Sequence, residues 1–418
     1  MRVLILDGNE NQAVAAARSL GRAGYDVSVG ASSAWSKAGW SRYAKTQFRY
    51  TSPSDDASLF ARDVVAEAAR APGTLVLPMT ERTTVVVSER RAELEAVSAR
   101  YVLPEHATLL RAMDKQAMTD LAASLGITVP ATSVLGTAAE ARRFATRAVY
   151  PVVLKPRTSE EIDRRGAPRP TGKPLYARSA PELMTAFEQL QTRAGDILAQ
   201  EYVEGVGVGY FALARHGEVR AEFAHRRLRD VRPSGSGSAL RESVPLDHAL
   251  KVAGRRILES IGWHGVAMVE FRRRDDGTLC FLEVNGRFWN SLALPIHAGV
   301  DFPLLVARLA EDGDVTPVTA YRVGVRCRWW LGDVRHLVSV LSGRPAGFTG
   351  RYPARLATLG AFLRPVAGTH HDNFEWTDPL PEAGDWLDFA VRRLPAALHR
   401  KGMHHAPTAP GAPDRGVR

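Results

Sequence analysis

Cysteine is scarce. Cys280 and Cys327 are the only two in 418 residues, far apart and in no zinc or redox spacing. Neither a disulfide framework nor a thiolate metal site is implied, and the expected home is a reducing cytoplasm. Long apolar runs are missing too: the opening stretch, residues 3–6, is too short for a signal peptide, and nothing reaches membrane-spanning length. No internal repeat is visible. After the first apolar run, Asp7-Gly8-Asn9-Glu10-Asn11 holds one glycine where a dinucleotide fingerprint needs three. No Ser/His or Cys/His signature suggests a covalent nucleophile. Acidic residues are the minority charge, 45 against 55 basic ones, giving a net charge of +10 and a pI near 9.8. The arginines are dispersed along the chain, many in alanine-rich stretches, so the excess reads as composition rather than as a nucleic-acid surface. Nucleic acid is not an expected partner, whereas polyphosphate or acidic small molecules suit the charge.

What is present is an ordinary globular composition, 45% apolar and 24% charged, long enough for two or three subdomains. Residues 3–6 form an apolar run, an alanine-rich helix pattern follows, and 25–29 alternates as a second strand. A helix at 59–70 and a buried strand at 74–77 extend this βαβ opening, which predicts a parallel sheet covered by helices. Helices near 104–114 and 115–125 lead to a short strand after Gly126. Pro151-Val-Val-Leu-Lys155-Pro156 is a buried strand ending in a lysine. Residues 157–174, rich in Pro, Gly and charge, read as a long mobile loop. Strands at 197–203 and 210–215 flank a Gly-rich turn, Gly205-Val-Gly207-Val-Gly209, and 225–241 reads as a second polar loop. Beyond 316 come Arg326, Arg328, Trp329-Trp330 and helix patterns near 334–342 and 383–398, and 401–418 has the composition of a disordered tail.

The most informative segment is 266–284, two apolar strands around Asp275-Asp276-Gly277. Asp-Gly is a favoured two-residue hairpin turn. With Asp276 and Gly277 at its centre, Asp275 pairs with Thr278 and Glu270 lies opposite Glu283. A three-residue turn would undo that register. Strand period adds Asn285 and Arg287 to the face of Glu283, and sends Cys280 and Leu282 to the core face. Directly opposed carboxylates repel. A hard divalent cation converts the repulsion into shared coordination, and a guanidinium beside it suits an anion.

Glu270 followed by Glu283-Val-Asn285-Gly-Arg287 resembles the magnesium element of the ATP-grasp superfamily, and the likeness runs in order over roughly residues 1–310. Lys115, after Asp114, looks like the first ATP lysine, and Lys155 like the second. The segment from Gln200 to Gly205 is similar to the hinge strand, where the Gln200 carbonyl and Val203 amide would read adenine and Glu201 would add a side-chain contact. Two features depart from the pattern. The loop at 157–174 has only Gly166 and Gly172, and Val208 stands where some relatives carry a ribose-binding Glu. The stretch from His225 through Arg226, Arg227 and Arg229 to Arg232-Pro-Ser-Gly235-Ser-Gly237 resembles a basic loop of one carboxylate–amine ligase branch. Trp289-Asn290-Ser291 and His297 to Asp301-Phe-Pro look like the same branch. It includes D-aspartate ligase-like and carbamoyl-phosphate-synthase-like proteins.

The resemblance implies an α/β chain, α+β in its ATP-binding part. A Rossmann-like parallel-sheet domain would span 1–110, the ATP-grasp subdomains 111–196 and 197–315, and a mostly helical extension 316–400, before the tail at 401–418. It also implies ATP and Mg²⁺ as cofactors, with Mn²⁺ able to replace the metal. Glu270, Glu283 and Asn285 would hold the metal. Lys115, Lys155 and Arg287 would hold the phosphates, with Lys155 and Arg287 acting in catalysis. The expected activity is amide-bond formation between a small carboxylate and an amine, by a cytoplasmic enzyme with no membrane insertion and room for a homodimer. The alternatives are carboxylation, phosphotransfer, or nucleotide binding without catalysis.

Overall fold

A computed structural model describes residues 1–402 except 164, 234–236, 346–347, 349–350 and 365–367, with backbone alone over 392–402. Strands are numbered in chain order. β1 (Arg2–Ile5), β2 (Asp26–Ala31), β3 (Thr46–Arg49) and β4 (Leu75–Leu77) form a parallel sheet, ordered β3-β2-β1-β4. Alternate residues of the first strand feed two cores. Val3 and Ile5 join one with the helix Asn11–Arg22, while Leu4 and Leu6 join another with the helix Ala57–Ala68. Burial on both faces is why the strand reads as an unbroken apolar run. Strand order reverses between β1 and β4, and the crevice at the carboxyl ends of such strands is where open parallel sheets take ligands.

The second sheet is antiparallel, ordered β5-β10-β6-β9, from β5 (Thr132–Leu135), β6 (Val152–Pro156), β9 (Leu175–Ala177) and β10 (Ile197–Glu201). Val152 and Leu154 pack on the helices Ala138–Ala145 and Ala180–Gln191. Strand period therefore turns Lys155 to the opposite face, which looks into the cleft.

The third sheet runs β15-β14-β11-β12-β13-β16-β17. Its strands are β11 (Val206–Arg215), β12 (Glu218–Asp230), β13 (Ser238–Ser243), β14 (Gly265–Arg273), β15 (Leu279–Asn285), β16 (Arg326–Arg328) and β17 (Thr369–His371). Tyr210, Val269, Phe271 and Phe281 face the helices His248–Ser260 and His106–Met113, while Phe211, Phe223 and Met268 share a core with the N-terminal sheet.

Several expectations need correction. Residues 157–174 are not a structureless loop. β7 (Glu160–Ile162) and β8 (Pro168–Pro170) pair as a hairpin that leans on the N-terminal part through Arg82–Glu160 (2.8 Å) and Ser54 Oγ donating to the Pro168 carbonyl (2.7 Å). The loop at 225–241 is largely the pair β12–β13, whose charged side chains find tertiary partners, and its Ser234-Gly235-Ser236 lies outside the described residues. Gly207 and Gly209 belong to a strand rather than a turn, leaving Gly205 (φ +136°) as the bend. The segment 316–400 supplies the helices Trp330–Ser342 and Arg355–Leu363 and most of Leu380–Gly402, yet it also adds β16 and β17 to the large sheet. The last helix enters the expected tail as far as Gly402, and 403–418 lies outside the described residues. Among the described residues no helix is long and apolar enough to cross a membrane.

Candidate active site

The hairpin β14–β15 brings Glu270 directly opposite Glu283, as the register argument expects, but by a different route. Arg274 donates to the Thr278 carbonyl (2.9 Å) and Gly277 N to the Arg274 carbonyl (3.0 Å), so the turn holds three residues. Gly277 takes φ +87°, the left-handed close of such a turn. That slips the outer half by one, pairing Phe271 with Phe281, and a β-bulge at Leu282 restores the register at Glu270–Glu283. The extra residue also changes which side chains share a face. Phe281 and Val284 enter the core, whereas Cys280 turns to the side of Lys155. The assignment of Cys280 and Leu282 to the core face was wrong for this reason.

Two lysines converge on the second carboxylate. Asp114 caps the helix Lys115–Ser124 by accepting from Gln116 N (3.0 Å) and Ala117 N (3.1 Å), and it also holds Arg157 (2.7 Å). This fixes Lys115 at the first turn, where Nζ donates to Ser159 Oγ (2.9 Å) and stands 4.0 Å from Glu283 Oε2. Lys155 is buried, and burial, aided by the charge of Lys115, pushes its pKa down from 10.5 to about 8 against the pull of Glu283 and Glu270. Burial alone would raise the pKa of Glu283. Lys115, Lys155, Arg287 and a hydrogen bond from Asn285 outweigh it and hold the carboxyl below its usual range.

The remaining members form a chain of contacts. Asn285 points Nδ2 at Glu270 Oε1 (3.3 Å) and Glu283 Oε1 (3.5 Å), while its Oδ1 accepts from Arg287 Nη2 (2.9 Å). Arg227 reaches Glu270 from β12 (2.8 Å) across the side-chain-free row of Gly207 and Gly209 on β11. Gly286 lets the backbone pass closely over Trp263, where a Cβ would stand 2.5 Å from the ring. Among the described residues no group of three or more His, Cys, Asp or Glu could hold a metal, so the oxygen donors here are two carboxylates and one amide.

The residues expected to form the hinge, Gln200, Glu201 and Val203, lie at the end of β10 and just beyond it. Gln200 is buried with Nε2 donating to Thr132 Oγ1 (2.9 Å), and Val203 is buried just beyond. Glu201 accepts from Ala131 N (3.3 Å) and Arg274 (3.1 Å), tying the end of β10 to the β14–β15 turn. His297 stacks on His370 at 4.0 Å, and burial lowers its pKa to about 3, so it is a packed neutral ring. His225 is likewise buried, stacked on Phe211 (4.5 Å) and 3.0 Å from Ser291 Oγ. Arg326 and Arg328 are held by Glu242 (2.7 Å) and Asp333 (2.6 Å), with Arg328 also lying over the Trp330 ring at 3.9 Å.

Glu283, Asn285 and Arg287 line a polar cavity of about 530 Å³ that reaches the carboxyl ends of β1 and β4. There Asp7 accepts from Met79 N (3.1 Å), Thr80 N (2.9 Å) and Thr83 Oγ1 (2.5 Å), joining the two strand ends at the order reversal.

A family model described as ATP-grasp in the biosynthetic pathway with Ter operon matches residues 193–331, the stretch that carries the acidic pair. Over that third of the chain the sequence resembles the ATP-grasp superfamily. It is 26% identical over 216 residues to a D-alanine–D-alanine ligase of Stutzerimonas stutzeri, covering 48% of this chain and 65% of that protein. To the vancomycin/teicoplanin A-type resistance protein VanA of Enterococcus faecium it is 27% identical over 220 residues, covering 47% and 60%. These matches span less than two thirds of either relative's length. The biotin carboxylase domain of Hydrogenobacter thermophilus 2-oxoglutarate carboxylase, solved with MgADP, ADP and bicarbonate, shares the ATP-grasp fold. Its TM-score is 0.60 at 17% identity, over 78% of this chain and 73% of that one.

Three features of this site were missed from sequence. Ser159 and Asp7 lie in stretches with no motif of their own. Arg227 was noticed only as part of a basic loop, and alternation along β12 would have been needed to aim it at Glu270.

Proposed function

We propose that the protein is an ATP- and magnesium-dependent ligase that joins a small-molecule carboxylate to an amine through an acyl phosphate, releasing ADP and phosphate. The observation that carries this reading is the convergence of Lys115 and Lys155 on Glu283, opposite Glu270 and beside Arg287, at the wall of the 530 Å³ polar cavity. The ligases among its relatives, the MgADP held by its fold neighbour and the biosynthetic description of the family model support it.

Two opposed carboxylates with an amide in reach are hard oxygen donors of the kind Mg²⁺ takes, so the residues present fit the metal. Bound to Glu270, Glu283 and Asn285, Mg²⁺ would neutralise charge on the β- and γ-phosphates. Asn285 can offer Oδ1 by reversing its amide, which releases Arg287 Nη2 for an anionic oxygen. Lys155, with a pKa near 8, is still mostly protonated at neutral pH, and with Lys115 it holds the phosphates. The substrate carboxylate attacks the γ-phosphorus, the bond to the β-bridging oxygen breaks, and ADP departs. The amine then attacks the acyl carbon and phosphate leaves, with Arg287 stabilising charge in both steps. On this reading 111–196 is a lid and 197–315 carries the metal, with the β7–β8 hairpin keeping water from the acyl phosphate.

The test is an ADP-release screen of amino acids and small carboxylic acids in pairs, with Mg-ATP and mass spectrometry of products. An amide whose formation needs both partners supports the ligase. ADP released with bicarbonate, or phosphate transferred with no amide, would replace it with carboxylation or phosphotransfer.

A further inference from the structure

A second cavity, of about 720 Å³, opens where β17, the stretch 374–376 and the starts of the helices Trp330–Ser342 and Leu380–Gly402 meet the end of the helix Asn11–Arg22. It shares no residue with the 530 Å³ cavity. Gln12 lines that cavity and Arg22 this one, so the two open near opposite ends of one helix, about 15 Å apart at ~1.5 Å per residue. The volume lies in the range of about 300–1,000 Å³ usual for small-molecule sites. Its walls are mostly rings, supplied largely by the 316–400 segment, which the ligation chemistry leaves unused. Phe374 stands edge-on to His371 at 6.2 Å and to Trp376 at 5.0 Å, with planes 72° and 78° apart, so these rings enclose space as walls instead of closing into a stack. Trp330 packs on His371 at 5.4 Å, and His370 on His297.

The rings carry no charge of their own. Burial lowers His370 and His371 as it does His297, so all three imidazoles are neutral. Ring faces attract cations, and the charged groups on the lining favour the same sign. Those groups are Arg22, Glu375 and Glu382. Arg22 is held by Glu375, which also stands 3.8 Å from Arg18. Glu382 is different. Its Oε1 accepts from Trp386 Nε1 (2.8 Å), while its Oε2 is buried with no hydrogen-bond partner among the described residues. Burial pushes this carboxyl up to about 7 against the Trp386 hydrogen bond, and Asp385 and Asp372 add to the rise. A buried acceptor left unpaired is costly, and a positively charged donor is the partner that best offsets the cost. Thr369 Oγ1 and His371 Nδ1, also on the lining, are likewise buried and unpartnered among the described residues.

We propose that this cavity is a binding site for an organic ammonium ion with an apolar body, its N–H groups on Glu382 Oε2 and Thr369 Oγ1 and its body among Trp330, Phe374 and Trp376. The site goes beyond the ligase reading and does not depend on it. Calorimetric titration of the full chain tests it, at pH 8, where Glu382 is ionised. Phenethylamine and hexylamine are the probes, and phenethyl alcohol and methylamine are controls lacking the charge or the apolar body. Both probes should bind at least about tenfold more tightly than either control. Glu382→Gln keeps an oxygen for the Trp386 indole while removing the charge, and should weaken both probes about tenfold. Trp376→Ala removes a ring that is 89% exposed, so the thermal midpoint should hold while probe affinity falls about tenfold. Saturating MgADP should leave probe binding intact, because the nucleotide belongs to the other cavity. Failure of the amines to bind, equal binding of phenethyl alcohol, indifference to either substitution, or displacement by MgADP would overturn the proposal. Probe binding without any ADP release in the pairwise screen would remove the ligase reading alone.

Discussion

Two charge clusters use the same residue types and differ in how completely they are paired. Where the C-terminal segment meets the first helix, each cation has its own carboxylate: Arg18 with Asp378 (2.8 Å), Lys37 with Asp385 (2.7 Å), and Arg241 with Asp372. These side chains are all buried, and the carbonyls of Asp372, Asn373 and Asp378 take further donors of Arg18. In the cleft, by contrast, two carboxylates face each other; Arg227 holds Glu270 (2.8 Å), but two ammonium groups face Glu283 only at longer range, and Glu283 stays 31% exposed. Complete pairing fixes one part of the chain upon another. Incomplete pairing leaves charges that the metal and phosphates of the proposed reaction would complete.

The contrast can be broken from either side. The largest effect belongs to the closed cluster: Arg241→Met strands Asp372 in the interior and should cost about 3–5 kcal/mol in denaturant unfolding. In the open cluster, Glu283→Gln should cut ADP release about a hundredfold or more, with a stability loss well below that of Arg241→Met, since Lys115 and Lys155 lose a partner in a half-exposed cleft rather than in the interior. A fall in stability of the size expected for Arg241→Met would make Glu283 a structural residue. The pH response of Lys155 gives a subtler test. Folded, it loses its proton near pH 8, but unfolded only near 10.5. ATP affinity should therefore fall as pH rises through about 8. Lys155 should meanwhile add stability between there and 10.5, since the unfolded chain binds more protons over that interval. Lys155→Arg should flatten both trends. Smallest is Gly277→Ala, which strains a residue at φ +87° and should cost about 1–2 kcal/mol with ADP release unaffected.

Legibility in the sequence followed the range of the forces involved. The apolar run of β1 and the helix that begins at Lys115 rest on local periodicity, and the structure places them accordingly; the opposed glutamates also stand as expected, but only because the Leu282 bulge offsets a turn one residue longer than the expected one. β3 escaped notice because three of its four residues are exposed, so no apolar alternation marks it. The strands at 160–162 and 168–170 were read as loop because Pro, Gly and Arg dominate there, and the contacts that order them come from Ser54 and Arg82. The cavity at Asp7 and Thr80 joins positions 73 residues apart, a distance over which one sequence carries no signal.

The bulge at Leu282 does more than rescue a register. It gives the hairpin one residue of slack between its turn and its carboxylates. The outer end, where Arg274 holds Glu201 at the end of β10, can therefore vary in length or geometry while Glu270 and Glu283 stay face to face. On the proposed function, adenine-side and metal-side requirements meet on a single pair of strands, and this spare residue keeps adjustment of one from misaligning the other.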